Sequence, residues 1–283
     1  MDHQHAAVEP APIIVRPSLG WAPLNLDDLW EYRELLYFLV WRDIKLRYKQ
    51  TVLGIAWVVL QPFLITIVFS VFFGWLARIP SDATGMPYPV FAFCGFLPWQ
   101  FFAYALTNAS NSLVANERLI TKVYFPRLVI PLSACLSGLI DFMIAFIILV
   151  GLIVYYGIVP TMALWAFPGF FIMAVACGMG VSLWLSALNV QYRDVRHTIP
   201  FITQLWFFLS PVVYPTSLIP ERWLWLYGLN PMAGVIKGFR WALLGRTDAL
   251  GSWIVVSAVV TLALWIGGLY YFRRMEKNFA DVV

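Results

Sequence analysis

Long apolar stretches, separated by short charged ones, dominate the hydrophobic pattern of the chain. A helix that crosses a membrane needs about 20 consecutive apolar residues, and six intervals reach or approach that length. They run over 51–77, about 89–117, two stretches between 127 and 193 that divide near Pro160, 197–221, and 249–272. The fifth interval is short and is interrupted by Pro200, Pro211 and Pro215. The pattern therefore predicts an all-α polytopic membrane protein with six transmembrane helices.

The stretch between the fifth and sixth intervals is apolar but carries several cations. It contains Arg222, Lys237, Arg240 and Arg246, and the letters GLNPMAG interrupt it. Each cation at the centre of a membrane-spanning helix costs about 2.5–3.5 kcal/mol on insertion scales. A pair of helices that dips into the membrane and returns avoids most of that cost. We therefore expect a re-entrant hairpin on the external side at about 218–246.

Composition agrees with a membrane protein. Of the 283 residues, 61% are hydrophobic and 12% are charged, whereas soluble domains carry about 25% charged residues. Cys94, Cys135 and Cys177 lie far apart inside apolar stretches, so we expect buried small hydrophobes rather than a disulfide framework or a zinc site. Residues 1–27 lack the pattern of a signal peptide and are predicted to form a flexible cytoplasmic tail.

The cations are distributed unequally between the two sides of the predicted membrane domain. The first span is preceded by Arg33, Arg42, Lys45, Arg47 and Lys49, and the loop between the second and third spans carries Arg118, Lys122 and Arg127. The loop between the fourth and fifth spans carries Arg193 and Arg196, and the sixth span is followed by Arg273, Arg274 and Lys277. On the other side, the loops near 80–89 and 157–161 carry none beyond Arg78, and the four cations of the expected hairpin are the exception. Because Lys and Arg favour the cytoplasmic side, both termini are predicted to be cytoplasmic.

Residues 28–49 have the periodicity of an amphipathic helix. One side of the helix carries Leu29, Leu36, Val40 and Ile44, and the other carries Glu31, Glu34, Arg42, Lys45 and Lys49. Asp43 and Arg47 have the i,i+4 spacing that allows an ion pair. We expect this interface helix to lie along the inner membrane surface and to continue into the first span. Two roles stay open for it: an anchor on anionic lipid, or a docking face for a cytoplasmic partner.

A second amphipathic segment, at about 113–127, favours the docking role. Its letters NERLITKVYFPRLVIP mix Glu117, Arg118 and Lys122 with apolar groups, which a simple turn would not need. A short helix that enters a groove on another protein accounts for both features. A third segment, around Arg193 and Asp194, fits a docking site and ordinary membrane-edge charges equally well.

The sequence lacks the motifs of a self-sufficient pump or hydrolase. The phosphate-binding G-x-x-x-x-G-K-[ST] loop is absent, as are HExxH, paired-cysteine and G-x-S-x-G motifs. Asp141 is the one clear acidic residue inside a predicted span; it either lines a pathway or pairs with a neighbouring helix. We therefore predict no catalytic residue, metal or cofactor in this chain, and energy supplied by another subunit.

Aromatic residues are abundant, with 14 Trp, 13 Tyr and 22 Phe. Interface belts and core packing account for most of them. A subset that lined a channel would offer flat apolar faces on which sugar rings stack while the polymer keeps moving. The candidates for that subset are Trp57, Phe72, Trp99, Phe102, Tyr104, Trp184, Trp206 and Tyr214.

An ordered set of motifs resembles a known family from about residue 28 onward. The set comprises RDIKLRYKQTVLGIAWVVLQP at 42–62, GFLPWQFF at 95–102, ERLITKVYFPRLVIPLS at 117–133, QYRDVRH at 191–197, SPVVYP at 210–215 and LNPM at 229–232. It resembles polysaccharide-export permeases, the membrane subunits of type-2 ABC transporters for O-antigen, capsule and teichoic acid.

The resemblance implies a homodimer in the bacterial inner membrane that works with two copies of a cytoplasmic ATPase, where ATP and Mg bind. It implies an interface helix at 28–49, a coupling helix at about 113–127 and export of a lipid-linked polysaccharide of the O-antigen type. The implied ATPase-coupling residues are Arg42, Lys45, Arg47, Lys49, Glu117, Arg118, Lys122, Tyr124, Arg127, Arg193 and Asp194.

Other functions fit the sequence less well. A capsule, teichoic acid, drug or lipid exporter of the same superfamily is the nearest alternative. A membrane-embedded glycan-modifying enzyme needs acidic or histidine pairs at the membrane edge, and Glu117, Asp194 and His197 are a poor set for it. A passive channel does not explain the two cytoplasmic helices, and the basic residues, which lie at a membrane edge, do not indicate nucleic acid binding.

Overall fold

The computed structural model describes residues 26–49, 54–78, 85–159, 161–192, 194–245, 250–276 and 279. Regular structure in these residues is helical. The α-helices are α1 (Leu26–Glu31), α2 (Arg33–Tyr48), α3 (Gly54–Phe69), α4 (Tyr88–Ala115), α5 (Glu117–Lys122), α6 (Val129–Tyr155), α7 (Phe167–Gln191), α8 (Val195–Leu209), α9 (Glu221–Tyr227), α10 (Pro231–Leu244) and α11 (Trp253–Glu276). The predicted tail at 1–27 falls almost entirely outside the described residues.

Five helical segments of the described chain are long and apolar enough to cross a membrane. They are Val59–Leu76, Tyr88–Ala115, Val129–Tyr155, Met162–Gln191 and Trp253–Glu276. This finding confirms the all-α class and five of the six predicted positions. The remaining position is the fifth predicted span, at 197–221, and it is occupied by α8. The 15 residues of α8 extend about 22 Å. The prediction of six spans is thus not confirmed, because α8 is shorter than the roughly 30 Å hydrocarbon core of a bilayer.

α4 lies at the centre of the molecule. It packs along α6 and α7, and α7 packs in turn along α11. Glycines allow the closest of these approaches: a Cβ on Gly268 would lie 2.5 Å from the carbonyl oxygen of Gly180. Phe93, Phe102 and Leu106 of α4 are fully buried. The helix therefore forms the rigid axis on which the other elements are placed.

The first candidate span is the least enclosed part of the domain. α3 continues into a π-helical segment, Ser70–Leu76, in which the Ala77 amide donates to the Phe72 carbonyl, five residues back. Trp57, Phe63, Phe72 and other large apolar side chains of the span are exposed. Such a surface requires lipid or another protein to cover it.

A second hydrophobic core, which we call the basal cluster, joins α2, α5 and α11. Its buried members are Leu39, Leu113, Ile120, Phe125, Leu128, Val129, Ile130, Leu183, Ala187, Val190, Leu269, Phe272 and Phe279. It gathers the ends of α4, α6, α7 and α11 that the charge pattern predicts to be cytoplasmic. The segments predicted to dock a partner are thus anchored on one common core.

The region predicted as a re-entrant hairpin contains two short helices, α9 and α10, joined by a turn at 228–230. α10 packs against α4, α7 and α11, and its residues from Pro231 to Arg240 are buried. Asn230 caps α10, because its Oδ1 accepts from the Met232 amide at 3.1 Å. Both helices lie within 218–246. Two cations of this region, Lys237 and Arg240, are buried in the protein, whereas Arg222 is exposed.

Arg240 shows how one of these cations is accommodated. Its guanidinium donates to the carbonyl oxygens of Phe91 at 3.2 Å, Pro211 at 2.7 Å and Val212 at 2.6 Å. It also lies 3.5 Å from the centre of the Phe91 ring. Hydrogen bonds to main-chain oxygens and the ring quadrupole offset the cost of desolvating the charge. Arg240 therefore links α10 to α4 and to the 210–215 segment.

Candidate functional site

α2 packs one face against the membrane domain. Leu39 is its most buried residue, and Leu35 and Leu36 pack beside it on the basal cluster. The expected apolar face carried Leu29, Leu36, Val40 and Ile44. Leu29 and Leu36 do pack on the basal cluster, but the most buried residue is Leu39 rather than Val40 or Ile44. The observed interface helix also begins earlier, as α1, and bends at Tyr32 (φ −90°, ψ 20°) before α2. The side that the sequence pattern assigns to membrane lipid is thus used largely for contact with α6.

The carboxyl end of α2 reaches the middle of α6. Arg47 donates from Nη1 to Asp141 Oδ2, and Tyr48 donates from its hydroxyl to Asp141 Oδ1. The Arg47 guanidinium carbon lies 4.3 Å from the centre of the Tyr104 ring of α4. Burial, followed by the adjacent Asp141 carboxylate, raises the pKa of Tyr48 to about 12, so the phenol stays a hydrogen-bond donor at neutral pH. Of the two roles left open for Asp141, the structure shows pairing with a neighbouring helix.

The ion pair expected between Asp43 and Arg47 does not form. Asp43 instead accepts from the neighbouring Arg42, with Nη2 to Oδ1 at 2.8 Å and Nε to Oδ1 at 3.0 Å. Arg47 is turned toward Asp141, where the Tyr104 ring also contacts the guanidinium and Tyr48 binds the second carboxylate oxygen. The two arginines, similar in the sequence, therefore have different partners and different surroundings.

The other cations of α2 are at its surface. Lys45 is exposed and its ammonium lies 5.3 Å from the centre of the Trp41 ring; Lys49 follows the helix and is also exposed. Trp30, Tyr37 and Trp41 form an exposed aromatic stripe on the side opposite the basal cluster. Sequence reasoning missed that stripe, although its i,i+7,i+11 spacing was visible.

The predicted coupling segment at 113–127 is divided by the structure. α4 ends at Ala115, α5 covers only Glu117–Lys122, and the chain is extended at Val123. Ile120 and Phe125 anchor the segment in the basal cluster. The opposite side presents four exposed residues that were all predicted to be functional: Glu117, Arg118, Lys122 and Tyr124. Tyr124 is 90% exposed, so it extends outward from a firmly anchored loop.

Arg127, another predicted coupling residue, contacts the last helix of the described chain. Its amide donates to Glu276 Oε1 at 2.7 Å and its guanidinium donates to the Glu276 carbonyl. Arg273 pairs with Glu276 Oε2 at 3.1 Å. Glu276 was not singled out from the sequence, because its partner lies 149 residues away. The contact ties α5 to the end of α11.

The third predicted docking element is only partly described. Arg193 lies outside the described residues. Asp194 is exposed and precedes α8, where its carbonyl accepts from the Thr198 hydroxyl at 3.0 Å. α8, which follows Asp194, packs against α4 and α7.

The aromatic residues considered for a channel divide into three groups. Trp57 and Phe72 are exposed on the first span, whereas Trp99 and Phe102 are buried in the core of the protein. The remaining four are half-buried and have specific partners. The Tyr104 ring lies under the Arg47 guanidinium, and the Trp184 ring stacks on that of Tyr271 with 4.5 Å between ring centres. Trp206 Nε1 donates to Asn230 Oδ1 at 2.8 Å, and the Tyr214 hydroxyl lies 3.0 Å from that of Tyr227. Burial of Trp99 and Phe102 corresponds to the packing role, not to contact with a polymer in this conformation.

No group of three or more His, Cys, Asp or Glu that could hold a metal ion is found in the described part of the chain. The arrangement offers instead two surfaces, on α2 and α5, and an exposed apolar span.

Comparison with known proteins identifies similar chains. A family model described as the ABC-2 type transporter matches residues 34–244. An O-antigen export system permease protein RfbA of Klebsiella pneumoniae is 31% identical over 260 residues, covering 92% of this chain and 97% of the relative. RfbA of Myxococcus xanthus is 31% identical over 262 residues, covering 90% and 98%. The polysialic acid transport protein KpsM of Escherichia coli is 25% identical over 248 residues, covering 83% and 91%.

Proposed function

The chain belongs to the ABC-2 type transporter family, and on that premise we propose that it is the permease subunit of an ATP-driven polysaccharide exporter. The observation that carries the proposal is its similarity to O-antigen export permeases along more than nine-tenths of both chains. The proposed cargo is a lipid-linked polysaccharide of the O-antigen type, moved outward from the cytoplasmic side of the bacterial inner membrane.

In the proposed architecture, two copies of the chain form a homodimer with two cytoplasmic ATPase subunits. ATP and Mg bind in those partners, and both permease termini are cytoplasmic. α8 forms the core of a shorter span, the fifth of six in chain order, and the segment after Leu209 completes the crossing. α9 and α10 then form the external hairpin. The burial of α10 among three long helices supports a half-membrane position, since a surface hairpin would have an exposed face.

The proposed coupling surface consists of the exposed side of α5 and the exposed cations of α2. α5 and the residues that follow it supply Arg118, Lys122 and Tyr124. The other side of this segment is held by the basal cluster. Force applied by a partner to such a loop moves the core beneath it, because close-packed interiors transmit displacement. Lys45 and Lys49 extend the same basic surface along α2; Arg42, Glu117, Arg193 and Asp194 complete the proposed set.

The proposed translocation path passes along the exposed apolar side of α3 and its π-helical continuation. Trp57 and Phe72 offer ring faces there, on which sugars stack. These contacts are weak individually, which suits a polymer that must keep moving. The path lies between two permease copies, where the exposed side of the span is covered.

A capsule polysaccharide is the second candidate cargo. The polysialic acid transport protein of Escherichia coli supports it, at 25% identity against 31% for the O-antigen permeases. The higher identity and fuller coverage favour the O-antigen type. A drug or lipid exporter has no similar support among these relatives.

Deletion of the gene in the source organism tests the proposal. Surface polysaccharide, measured by glycan immunoblot and electron microscopy, is expected to disappear, while polymer accumulates inside the cell. The wild-type gene supplied on a plasmid is the matched control and restores the surface layer. Normal surface polysaccharide in the deletion strain would contradict the proposed function.

A further inference from the structure

The contact between α2 and α6 lies deep in the molecule. Leu39 packs on the basal cluster, and Arg47 follows about two helical turns later along α2. Asp141 lies near the middle of α6 and Tyr104 near the middle of α4. α2 therefore runs inward along α6, and its last turn contacts both long helices at mid-height.

Two donors from consecutive residues bind the two oxygens of one carboxylate. Arg47 binds Asp141 Oδ2 and Tyr48 binds Oδ1. The Asp141 side chain is 18% exposed and that of Arg47 is 28% exposed. A charged pair at that depth is strongly favoured over either charge alone, so the arrangement resists separation.

Tyr104 holds Arg47 from beneath and is itself fixed by α6. Its hydroxyl lies 2.9 Å from Ser137 Oγ, and a Cβ on Gly138 would lie 2.3 Å from its ring. The absence of a side chain at Gly138 thus gives the ring its position. The guanidinium is therefore held by α4 and α6 at once, through the ring and through the carboxylate.

We propose that Arg47, Tyr48 and Asp141 form a latch that transmits displacement of α2 to α6 and α4 during the transport cycle. The inference rests on the proposed function, in which α2 and α5 receive force from an ATPase. A simple anchor would be satisfied by the apolar contacts of Leu39. The latch adds a directional, charged contact to the helices at the centre of the fold, and these residues act as positioning residues.

A cavity beside the carboxylate allows the latch to open. Asp141 lines it together with Leu97, Gln100, Phe101, Tyr104, Gly138 and Phe142, and its volume is about 30 Å³. That volume holds at least one water molecule. Asp141 then has an alternative hydrogen-bond partner when α2 moves, so opening does not leave a bare charge.

Neutral variants that preserve size test the latch in the native permease–ATPase complex. Arg47→Gln and Asp141→Asn remove one charge each, and the double variant removes both. Arg33→Gln and Asp43→Asn are matched controls on α2, since Arg33 donates to the nearby Trp30 carbonyl and Asp43 pairs with the neighbouring Arg42. Each strain is measured for permease in the membrane, surface polysaccharide and the ATPase rate of the purified complex. If Arg47→Gln does not accumulate, Tyr48→Phe takes its place, because it removes the other hydrogen-bond donor to Asp141.

We expect each latch variant to lower export at least fivefold while the complex still hydrolyses ATP at no less than half the wild-type rate. The double variant is expected to export no less than the single variant that exports less, because the effects of substitutions in residues that act as one unit do not add. Both controls are expected to export within twofold of wild type.

Three results would overturn the latch. The first is wild-type export in the single variants, and the second is effects that multiply in the double variant. Loss of ATP hydrolysis in parallel with export would also overturn it, because a contact that only maintains the assembly has that signature. These results leave the proposed function intact, since that function fails only if cells that lack the gene still export polysaccharide.

Discussion

At the scale of single residues, glycines decide where charged groups lie in the interior. Gly95 is the clearest case: a Cβ there would lie 2.4 Å from Arg240 Nη2 and 2.8 Å from the Val212 carbonyl oxygen. Both atoms belong to the guanidinium–carbonyl contact that holds the 210–215 segment. The glycine in the GFLPWQFF motif is therefore explained by Arg240, which lies on a different helix.

Replacement of Gly95 by alanine should destabilise the protein. The added methyl group must displace Arg240 from its carbonyl partners, and we expect the free energy of unfolding to fall by about 1–3 kcal/mol. Thermal unfolding of the purified permease in detergent measures the effect. Gly151→Ala is the control, because nothing lies within 4 Å of its added Cβ. Equal melting temperatures for the two variants would show that Arg240 tolerates the intrusion.

Residue-level partners are the part of the structure that the sequence predicts least well. Arg42 and Arg47 have similar neighbours in the chain, yet one pairs locally with Asp43 and the other with Asp141, 94 residues away. Helical spacing alone favoured an Asp43–Arg47 pair. Only tertiary packing, which turns Arg47 toward α6, decides between the two carboxylates.

At the scale of elements, α5 combines a fixed side with an exposed side. Ile120 is buried in the basal cluster while Arg118 and Lys122 remain exposed. Reversing the charge of Arg118 with glutamate should alter docking without disturbing the fold. We expect export to fall severalfold while the amount of permease in the membrane stays the same.

The measurement for Arg118→Glu is surface polysaccharide together with the amount of ATPase that co-purifies with the permease. Arg222→Glu is the matched control, since Arg222 is equally an exposed helical arginine but lies on α9. An unchanged export rate and unchanged co-purification for Arg118→Glu would remove α5 from the proposed coupling surface.

Element positions were largely predictable, and their extents were not. The apolar intervals located α4, α6, α7 and α11, because long apolar stretches have few structural alternatives. A helix was expected over about 113–127, and the helix found there covers only Glu117–Lys122, since α4 continues to Ala115 before it. Burial of Leu39 rather than Val40 likewise depends on how α2 meets α6, which periodicity does not specify.

At the scale of the whole molecule, the position of α8 determines the topology. If α8 and the segment after it cross the membrane, Asp194 and Leu218 lie on opposite sides; if not, they lie on the same side. Both side chains are exposed. The three native cysteines are buried, so they do not compete for a maleimide reagent.

Cysteine labelling in spheroplasts distinguishes six spans from five. A membrane-impermeant maleimide is expected to label Leu218→Cys and Trp165→Cys directly. It should label Asp194→Cys and Tyr124→Cys only after the membrane is permeabilised. Labelling of Asp194→Cys and Leu218→Cys from the same side would contradict the six-span proposal and leave the five candidate spans.

Function was predictable from the order of several motifs rather than from any site. The six motifs of the resemblance are spread along the chain, and the family match over 34–244 confirms what their order implied. The channel aromatics were not predictable residue by residue, because Trp99 and Phe102 turn inward while Trp57 faces outward. Which aromatic faces a pore depends on helix rotation, and in a mostly apolar span periodicity gives little information about rotation.

The central claim is that this permease, powered by its partner ATPase, moves polysaccharide across the membrane. Inside-out membrane vesicles from the source organism test it most directly, with glycosidase outside and protected polysaccharide measured over time. The account predicts that ATP increases the protected polymer several-fold, and that vesicles from the deletion strain show no increase. Equal protection with and without ATP, or the same increase in deletion vesicles, would contradict it.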